Sequence, residues 1–329
     1  MSSAVLISSL LIIAILALGA STRVLTHSVE RRFPPTGEFA DIGGVQLHSI
    51  DVSVAPQADL LPMVFIHGAA GNAHDLYGAF GERLAGRCRM VFVDRPGAGY
   101  STRSGRADTS PQVQARAIAG LIERLGIDPA VIVGHSFGGA VAAALAVHHP
   151  ESVAGIVLIA PASHPWPGHA LTWYYDLANL PGFGRAFAHL IAVPFGNLLY
   201  RRAVKSVFEP DRPPHDYARR SATRLVLRPT SFHANAADVG ALKAHLKLLS
   251  PRYREIGAPV TIITGDSDNV VSPHLHAKGL ERDIEGARLV WLEGRGHMPT
   301  YTATEEIVTE IEALNARIGD NRSDKRKSA

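Results

Sequence analysis

Cysteine is nearly absent. The 329 residues contain one, Cys88, so no intrachain disulfide can form and cysteine usage does not fix the compartment. Cys88 stands just before an apolar run and reads as a small buried residue. An excess of either charge is missing too: 33 Lys and Arg face 30 Asp and Glu, a formal net charge of +3. That is too small and too scattered to build a nucleic-acid face. Charged residues make up only 19% and hydrophobic ones 46%, which suits a globular α/β enzyme and not a disordered chain. No internal repeat occurs. Gly97-Ala98-Gly99 lacks the third glycine of the dinucleotide fingerprint and sits in the wrong loop for it. His274 and His276 lack acidic or sulfur partners at zinc spacing. We therefore expect no cofactor and no metal, and no feature points to a protein partner.

Of what is there, the first residues are unlike the rest. Ala4 to Ala20 is apolar except for Ser8, Ser9 and Gly19. A span of about 17–25 such residues can cross a bilayer as a helix. Ala17-Leu18-Gly19 could serve as a signal-peptide cleavage site, but Met1-Ser2-Ser3 lacks the positive start of a signal peptide. A single-pass anchor is the favoured expectation over a cleaved signal and over a buried helix, which would show a polar face. Arg23, Arg31 and Arg32 follow the span, so the positive-inside tendency favours a cytoplasmic catalytic part, with a periplasmic or secreted one as the alternative.

Beyond a short linker at Arg31–Gly37, the chain alternates apolar strand runs with helical stretches. Gly37 to Ile42 and Val45 to Val54 read as a hairpin turning at Gly43-Gly44. Buried strands follow at Pro62–Ile66, Arg89–Val93, Ala130–Val133, Gly155–Ile159, Ala258–Gly265 and Arg288–Leu292. Helices are expected at His74–Ala85, from Ser110-Pro111 to Leu125, at Ala140–Val147 and from Thr302 to Ile318. The rhythm breaks between 161 and 257, where Trp166, Trp173, Tyr174, Tyr175, Phe183, Phe187, Phe195 and Tyr200 lie among helical stretches with no good strand run. That is too long for a plain connection and reads as a helical insertion. The chain thus divides into an N-terminal membrane segment (1–22), a core (37–160), a helical lid (161–257), the rest of the core (258–318) and a disordered basic tail (319–329). The expected fold is α/β, a mostly parallel doubly wound sheet whose ligands bind at the carboxyl ends of its strands.

At one of those ends stands Gly134-His135-Ser136-Phe137-Gly138-Gly139, between a β-branched run and an Ala-rich helix. Gly-x-Ser-x-Gly in that setting is a turn that raises a serine above the sheet. A serine hydroxyl needs a base, and the base an orienting acid. Two later strand ends offer them: Gly265-Asp266-Ser267-Asp268 and Gly294-Arg295-Gly296-His297. With His67-Gly68 and Asp94-Arg95-Pro96-Gly97-Ala98-Gly99-Tyr100-Ser101, these elements resemble the α/β-hydrolase superfamily, in its lid-bearing serine hydrolase and esterase branch, over Gly37 to Ile318.

The resemblance implies Ser136 as nucleophile, His297 as base and Asp268, from the Gly-x-x-Asp alignment, as acid. Asp266 fits that spacing worse and is expected to cap its loop. The backbone amides of Ala69 and Phe137 are the implied oxyanion donors. His67 is expected to hold its loop, His135 to pack behind the elbow, and Asp94, Arg95, Gly97 and Gly99 to shape a turn. Related dehalogenases and most epoxide hydrolases carry aspartate at the elbow, so Ser136 argues against their chemistry. The expected activity is cleavage of an ester or similar acyl bond in a small molecule. Carbon–carbon hydrolysis, thioester hydrolysis and acyl transfer use the same three groups, and a ligand-binding protein on a retained fold is the alternative from another class.

Overall fold

The computed structural model describes residues 2–54, 58–168 and 173–327. Strands β1 (Glu38–Ile42) and β2 (Val45–Val52) form the expected hairpin, with Ile42 opposite Val45. Gly43 and Gly44 have φ of +61° and +87°, the backbone a two-residue turn needs to match strand twist. The remaining strands are β3 (Met63–Ile66), β4 (Met90–Val93), β5 (Ala130–His135), β6 (Val153–Ile159), β7 (Val260–Gly265) and β8 (Arg288–Leu292). Their order is β1-β2-β4-β3-β5-β6-β7-β8, and β3 to β8 pair in parallel. The chain moves from β3 outward to β4, then returns past β3 to β5. That reversal leaves a crevice at the carboxyl ends of β3 and β5, where open α/β sheets bind ligands.

The central runs, β3, β4, Ala130–Val133 of β5 and β6, are apolar throughout because both faces are covered. Residues two apart along a strand share a face. Val64, Ile66, Val91, Val93, Ile132 and Leu158 pack on α3 (Pro111–Leu125) and α4 (Phe137–His148). Met63, Phe65, Met90, Phe92, Val131 and Val133 pack on α2 (Ala73–Phe80) and the final helix. Cys88 is fully buried in this second cluster, as its setting implied.

Between 161 and 257 no strand occurs among the described residues. The insertion is built from α5 (Trp173–Asn179), α6 (Val193–Phe208) and α7 (Pro229–Leu249), with a π turn at Ala188–Ala192 leading into α6. Residues 169–172 of the expected lid lie outside the described residues. After it come α8 (Pro273–Asp283), between β7 and β8, and α9 (Thr304–Lys327).

Several elements differ from expectation. The N-terminal helix α1 runs unbroken over Ser3–Arg32, past the limit set at 22 and through the first residues of the expected linker. Its apolar part is solvent-exposed, while Thr22 and Val29 are buried against the rest of the protein. Among the described residues α1 is the one helix long and apolar enough to cross a membrane. Helix α2 ends at Phe80 and not at Ala85. It begins where Asn72 accepts the His74 amide, an N-cap. Helix α8 was not expected, although its Ser272-Pro273 start repeats the Ser110-Pro111 signal. The tail at 319–329 is helical to Lys327, with Ser328 and Ala329 outside the described residues. Arg and Lys are good helix formers and favour a helix C-terminus, so charge alone does not end α9.

Candidate active site

Ser136 sits at the junction of β5 and α4 with φ 52° and ψ −117°, a backbone region that non-glycine residues seldom occupy. The flanking glycines make that turn possible. A Cβ on Gly138 would lie 2.1 Å from the Ile66 carbonyl oxygen, and one on Gly134 would lie 2.5 Å from that of Gly138. The neighbouring strand and helix both exclude a side chain there.

The two later loops come to this serine. His297 Nδ1 lies 2.8 Å from Asp268 Oδ2, and His297 Nε2 lies 3.0 Å from Ser136 Oγ. A carboxylate only accepts, so Nδ1 carries the proton and a neutral His297 presents Nε2 as acceptor to the serine hydroxyl. The other oxygen of Asp268 accepts the amides of Val270 and Val271 at 2.8 and 2.9 Å. Burial works to raise the Asp268 carboxyl. The hydrogen bond and charge of His297 and those two amides outweigh it, holding the group below the usual carboxylate range. Asp266 turns away and accepts from Ser267 and the Gly294 amide, closing its loop.

Neither the Phe137 amide nor the Ala69 amide has a hydrogen-bond acceptor among the described residues. The turn at 67–71 that carries Ala69 is held from several sides. His67 Nδ1–H donates to the Gly68 carbonyl at 2.8 Å, and its Nε2 accepts the Arg95 amide at 3.1 Å. Burial, then the Arg95 charge, pushes the His67 imidazole down to about 3, so it stays neutral. Asn235 of α7 accepts the Ala70 amide at 2.6 Å. His135 Nε2–H donates to the carbonyl of His297 at 3.1 Å, a bond that fixes the histidine loop from behind the elbow.

Three contacts in this region were not anticipated. Arg95 does more than shape a turn. Its buried guanidinium donates to the carbonyls of His67 and Gly68 at 3.0 and 3.1 Å, to Gln114 at 3.0 Å and to Asp238 of α7 at 2.9 Å. It also lies 4.2 Å from the Phe137 ring centroid. Asp94 behaves as expected, accepting the amides of Ala73 and Tyr100. Asp211, from the lid, accepts the Gly296 amide at 2.9 Å and the Arg295 side chain at 3.1 Å. His276 Nδ1 accepts the amides of Ser163 and His164, both at 3.0 Å, so this member of the His-x-His pair is spent on the first residues of the insertion.

The family follows from this ordered set of strand-end residues. The profile of the alpha/beta hydrolase fold family matches residues 62–304. The chain belongs to the α/β-hydrolase family. Among its relatives, 2-hydroxymuconate semialdehyde hydrolase of Pseudomonas putida is 32% identical over 162 residues, covering 46% of this chain and 58% of that protein, so this match spans little more than half of the relative. The 2-hydroxy-6-oxo-6-phenylhexa-2,4-dienoate hydrolase of Comamonas testosteroni is 26% identical over 282 residues, 82% of this chain and 93% of that one. The crystal structure of the enol-lactonase from Burkholderia xenovorans superimposes with a TM-score of 0.65 at 20% identity, covering 84% of this chain and 99% of that chain.

One buried acid lies outside this arrangement. Asp75 on α2 is 4% exposed, and its Oδ1 has no partner among the described residues. Burial pushes its carboxyl up to about 7, against hydrogen bonds from Tyr217 and Tyr301. The folded protein therefore binds a proton between about pH 4 and 7 that the unfolded chain releases. Stability falls across that window as pH rises, by about 4 kcal/mol if the whole shift counts. Asp75→Asn should raise the Tm at pH 8 and leave it nearly unchanged at pH 4. Equal shifts at both pH values would show that the carboxyl is not the cause.

Proposed function

We propose that this hydrolase cleaves an ester or related acyl bond of a small molecule through Ser136, His297 and Asp268. The observation that carries the reading is the unbroken relay from Asp268 to His297 to Ser136, at 2.8 and 3.0 Å. His297 Nε2 takes the Ser136 proton as Oγ attacks the acyl carbon. The amides of Ala69 and Phe137 donate to the oxygen that becomes negative, and the second of these stands at the N-terminus of α4, where the helix dipole adds to it. His297 then gives its proton to the leaving alkoxide. In the second half, water loses a proton to His297, attacks the acyl carbon and releases the acid, and Ser136 regains its proton. Throughout, Asp268 keeps the imidazole in the required tautomer and stabilises its cation.

A fluorophosphonate probe tests this directly, since it phosphonylates an activated serine. Ser136 should be the labelled residue, and Ser136→Ala should take no label; a variant that still labels sinks the assignment. Relatives named for dienoate and semialdehyde hydrolysis favour a second reading, carbon–carbon hydrolysis with the same residues. Turnover of a vinylogous diketone faster than of any ester of matched size would select it.

We also propose that the apolar part of α1 anchors the protein in a membrane, with Arg23, Arg31 and Arg32 keeping the catalytic part on the cytoplasmic side. Carbonate-washed membranes should retain the full-length protein. Protease digestion of intact spheroplasts should spare the catalytic part, and its loss would reverse the orientation.

A further inference from the structure

The lid carries an apolar surface that the reaction does not use. On the helical stretch of the π turn and α6, Ile191, Phe195 and Leu198 recur at i, i+4 and i+7, one side of a helix. Leu199 lies beside them. Phe195, Leu198 and Leu199 are 55%, 74% and 57% exposed, and Phe183, one turn before the π turn, is 49% exposed. A contiguous apolar surface on a lid is not explained by chance scatter of single side chains.

Its position narrows the occupant. Helix α1 runs along this same part of the lid. Gly19 lies against Leu190, and the Thr22 hydroxyl donates to the His189 carbonyl. Further along, Val29 and Phe33 pack with Ala222 and Leu225, Glu30 pairs with Arg228 at 3.4 Å, and Tyr100 donates to the Phe33 carbonyl. The second half of α1 is thus built into the lid, and its apolar first half departs from the fold beside Leu190 and Ile191. Past Leu199 the character of α6 changes: Arg201, Arg202 and Lys205 are exposed, with Arg202 and Lys205 continuing the stripe at i+4 and i+7 from Leu198. An apolar face bordered by cations suits the boundary between acyl chains and anionic headgroups. A second copy of the chain is the poorer occupant, because two such faces would bring like charges together.

We propose that the lid face formed by Phe183, Ile191, Phe195, Leu198 and Leu199 is seated in the bilayer interface around the exit of α1, with Arg201, Arg202 and Lys205 at the anionic headgroups. This rests on the anchor reading of α1. The surface of the lid is then a second membrane contact, separate from the span itself.

The test uses full-length protein reconstituted in phosphatidylcholine–phosphatidylglycerol vesicles, with and without brominated acyl chains. Cys88 is buried and burial pushes its thiol up to about 12, so an introduced surface cysteine takes a bimane label selectively. Four single variants are needed: Leu10→Cys in the span, Phe195→Cys and Leu198→Cys on the lid face, and Leu248→Cys, equally exposed at the far end of α7. Brominated lipid should quench the label at 10, 195 and 198 and leave that at 248 unchanged. Quenching at 10 with none at 195 and 198 would overturn the lid contact while leaving the anchor standing. No quenching at 10 would remove the anchor, and this proposal with it. A disulfide-linked dimer through Leu198→Cys, unquenched, would give the face to a second copy and overturn the proposal equally.

Discussion

Ser136→Ala should lower ester kcat by on the order of 10^6, leaving the slow residual rate that binding and the oxyanion donors alone supply. The size follows from the chain of groups. Without Oγ there is no acyl-enzyme, and His297 has only water to activate, at a position set for a serine oxygen 3.0 Å away. Asp268→Asn should cost less, about 10^4, because the amide can donate to Nδ1 and so favour the wrong tautomer. Asp266→Asn is the control. Its oxygen accepts only from Ser267 and the Gly294 amide, and the asparagine oxygen can keep both bonds. Steady-state kinetics on a chromogenic ester checks all three. A loss at Asp266 as large as that at Asp268 would contradict the assignment of the acid. Circular dichroism would separate either from unfolding.

The second large effect is expected at Arg95. Its guanidinium is 1% exposed and faces Asp238, 3% exposed, whose other oxygen pairs with Arg103. Arg95→Met keeps much of the volume but takes the guanidinium donors from the carbonyls of His67 and Gly68, the second of which keeps only its bonds from His67 Nδ1 and the Gly71 amide, and leaves Asp238 with one cation in place of two. Removing one partner of a buried pair costs about 3–5 kcal/mol, which for a protein of this size lowers the Tm by roughly 5 °C. The same change should reduce kcat by about 10^2, since the turn that aims the Ala69 amide loses two of its bonds. Thermal unfolding and kinetics read these separately. Adding Asp238→Leu should restore part of the Tm, because the buried carboxylate that lost one of its two cations is gone, but should not restore kcat. If kcat returned with stability, Arg95 would matter for packing and not for aiming the oxyanion turn.

The ease with which parts of this site can be read from sequence follows the range of the forces involved. The elbow is local: Gly134, Ser136 and Gly138 are four residues apart end to end, and the clash that demands glycine at 134 arises within one strand–turn–helix unit, with only that at 138 coming from the adjacent strand. The parallel sheet is legible because its strands are buried on both faces, so Met63–Ile66, Met90–Val93 and Ala130–Val133 are apolar without alternation. Arg95 is different. Its partner Asp238 is 143 residues away, across the insertion, and nothing near either residue marks the pair. The hold of Asp211 on Gly296 has the same character. Helix ends were missed for another reason. Past Ala20 and past Ile318 the apolar pattern stops, yet α1 continues to Arg32 and α9 to Lys327 through stretches where Arg, Lys and Glu are mixed with weaker helix formers, which no periodicity marks. The Ser272-Pro273 start of α8, by contrast, is a local signal of the same kind as Ser110-Pro111 at α3.

The insertion has a division of labour that its helices alone do not suggest. From α7, Asn235 holds Ala70 and Asp238 holds Arg95, so this helix supports the turn that carries Ala69. Ser136, at 8% exposed, is covered, and substrate enters only if something yields. If the whole insertion swung aside, it would carry off the groups that shape the turn just as the substrate arrived. Entry that leaves this geometry in place has to come from α5 and the stretch before α6, because Phe208 at the end of α6 packs with Met298 and Asp211 just after it holds the Gly296 amide. An entry route of that kind changes access through α5 and leaves the holds on Ala70, Arg95 and Gly296 in place.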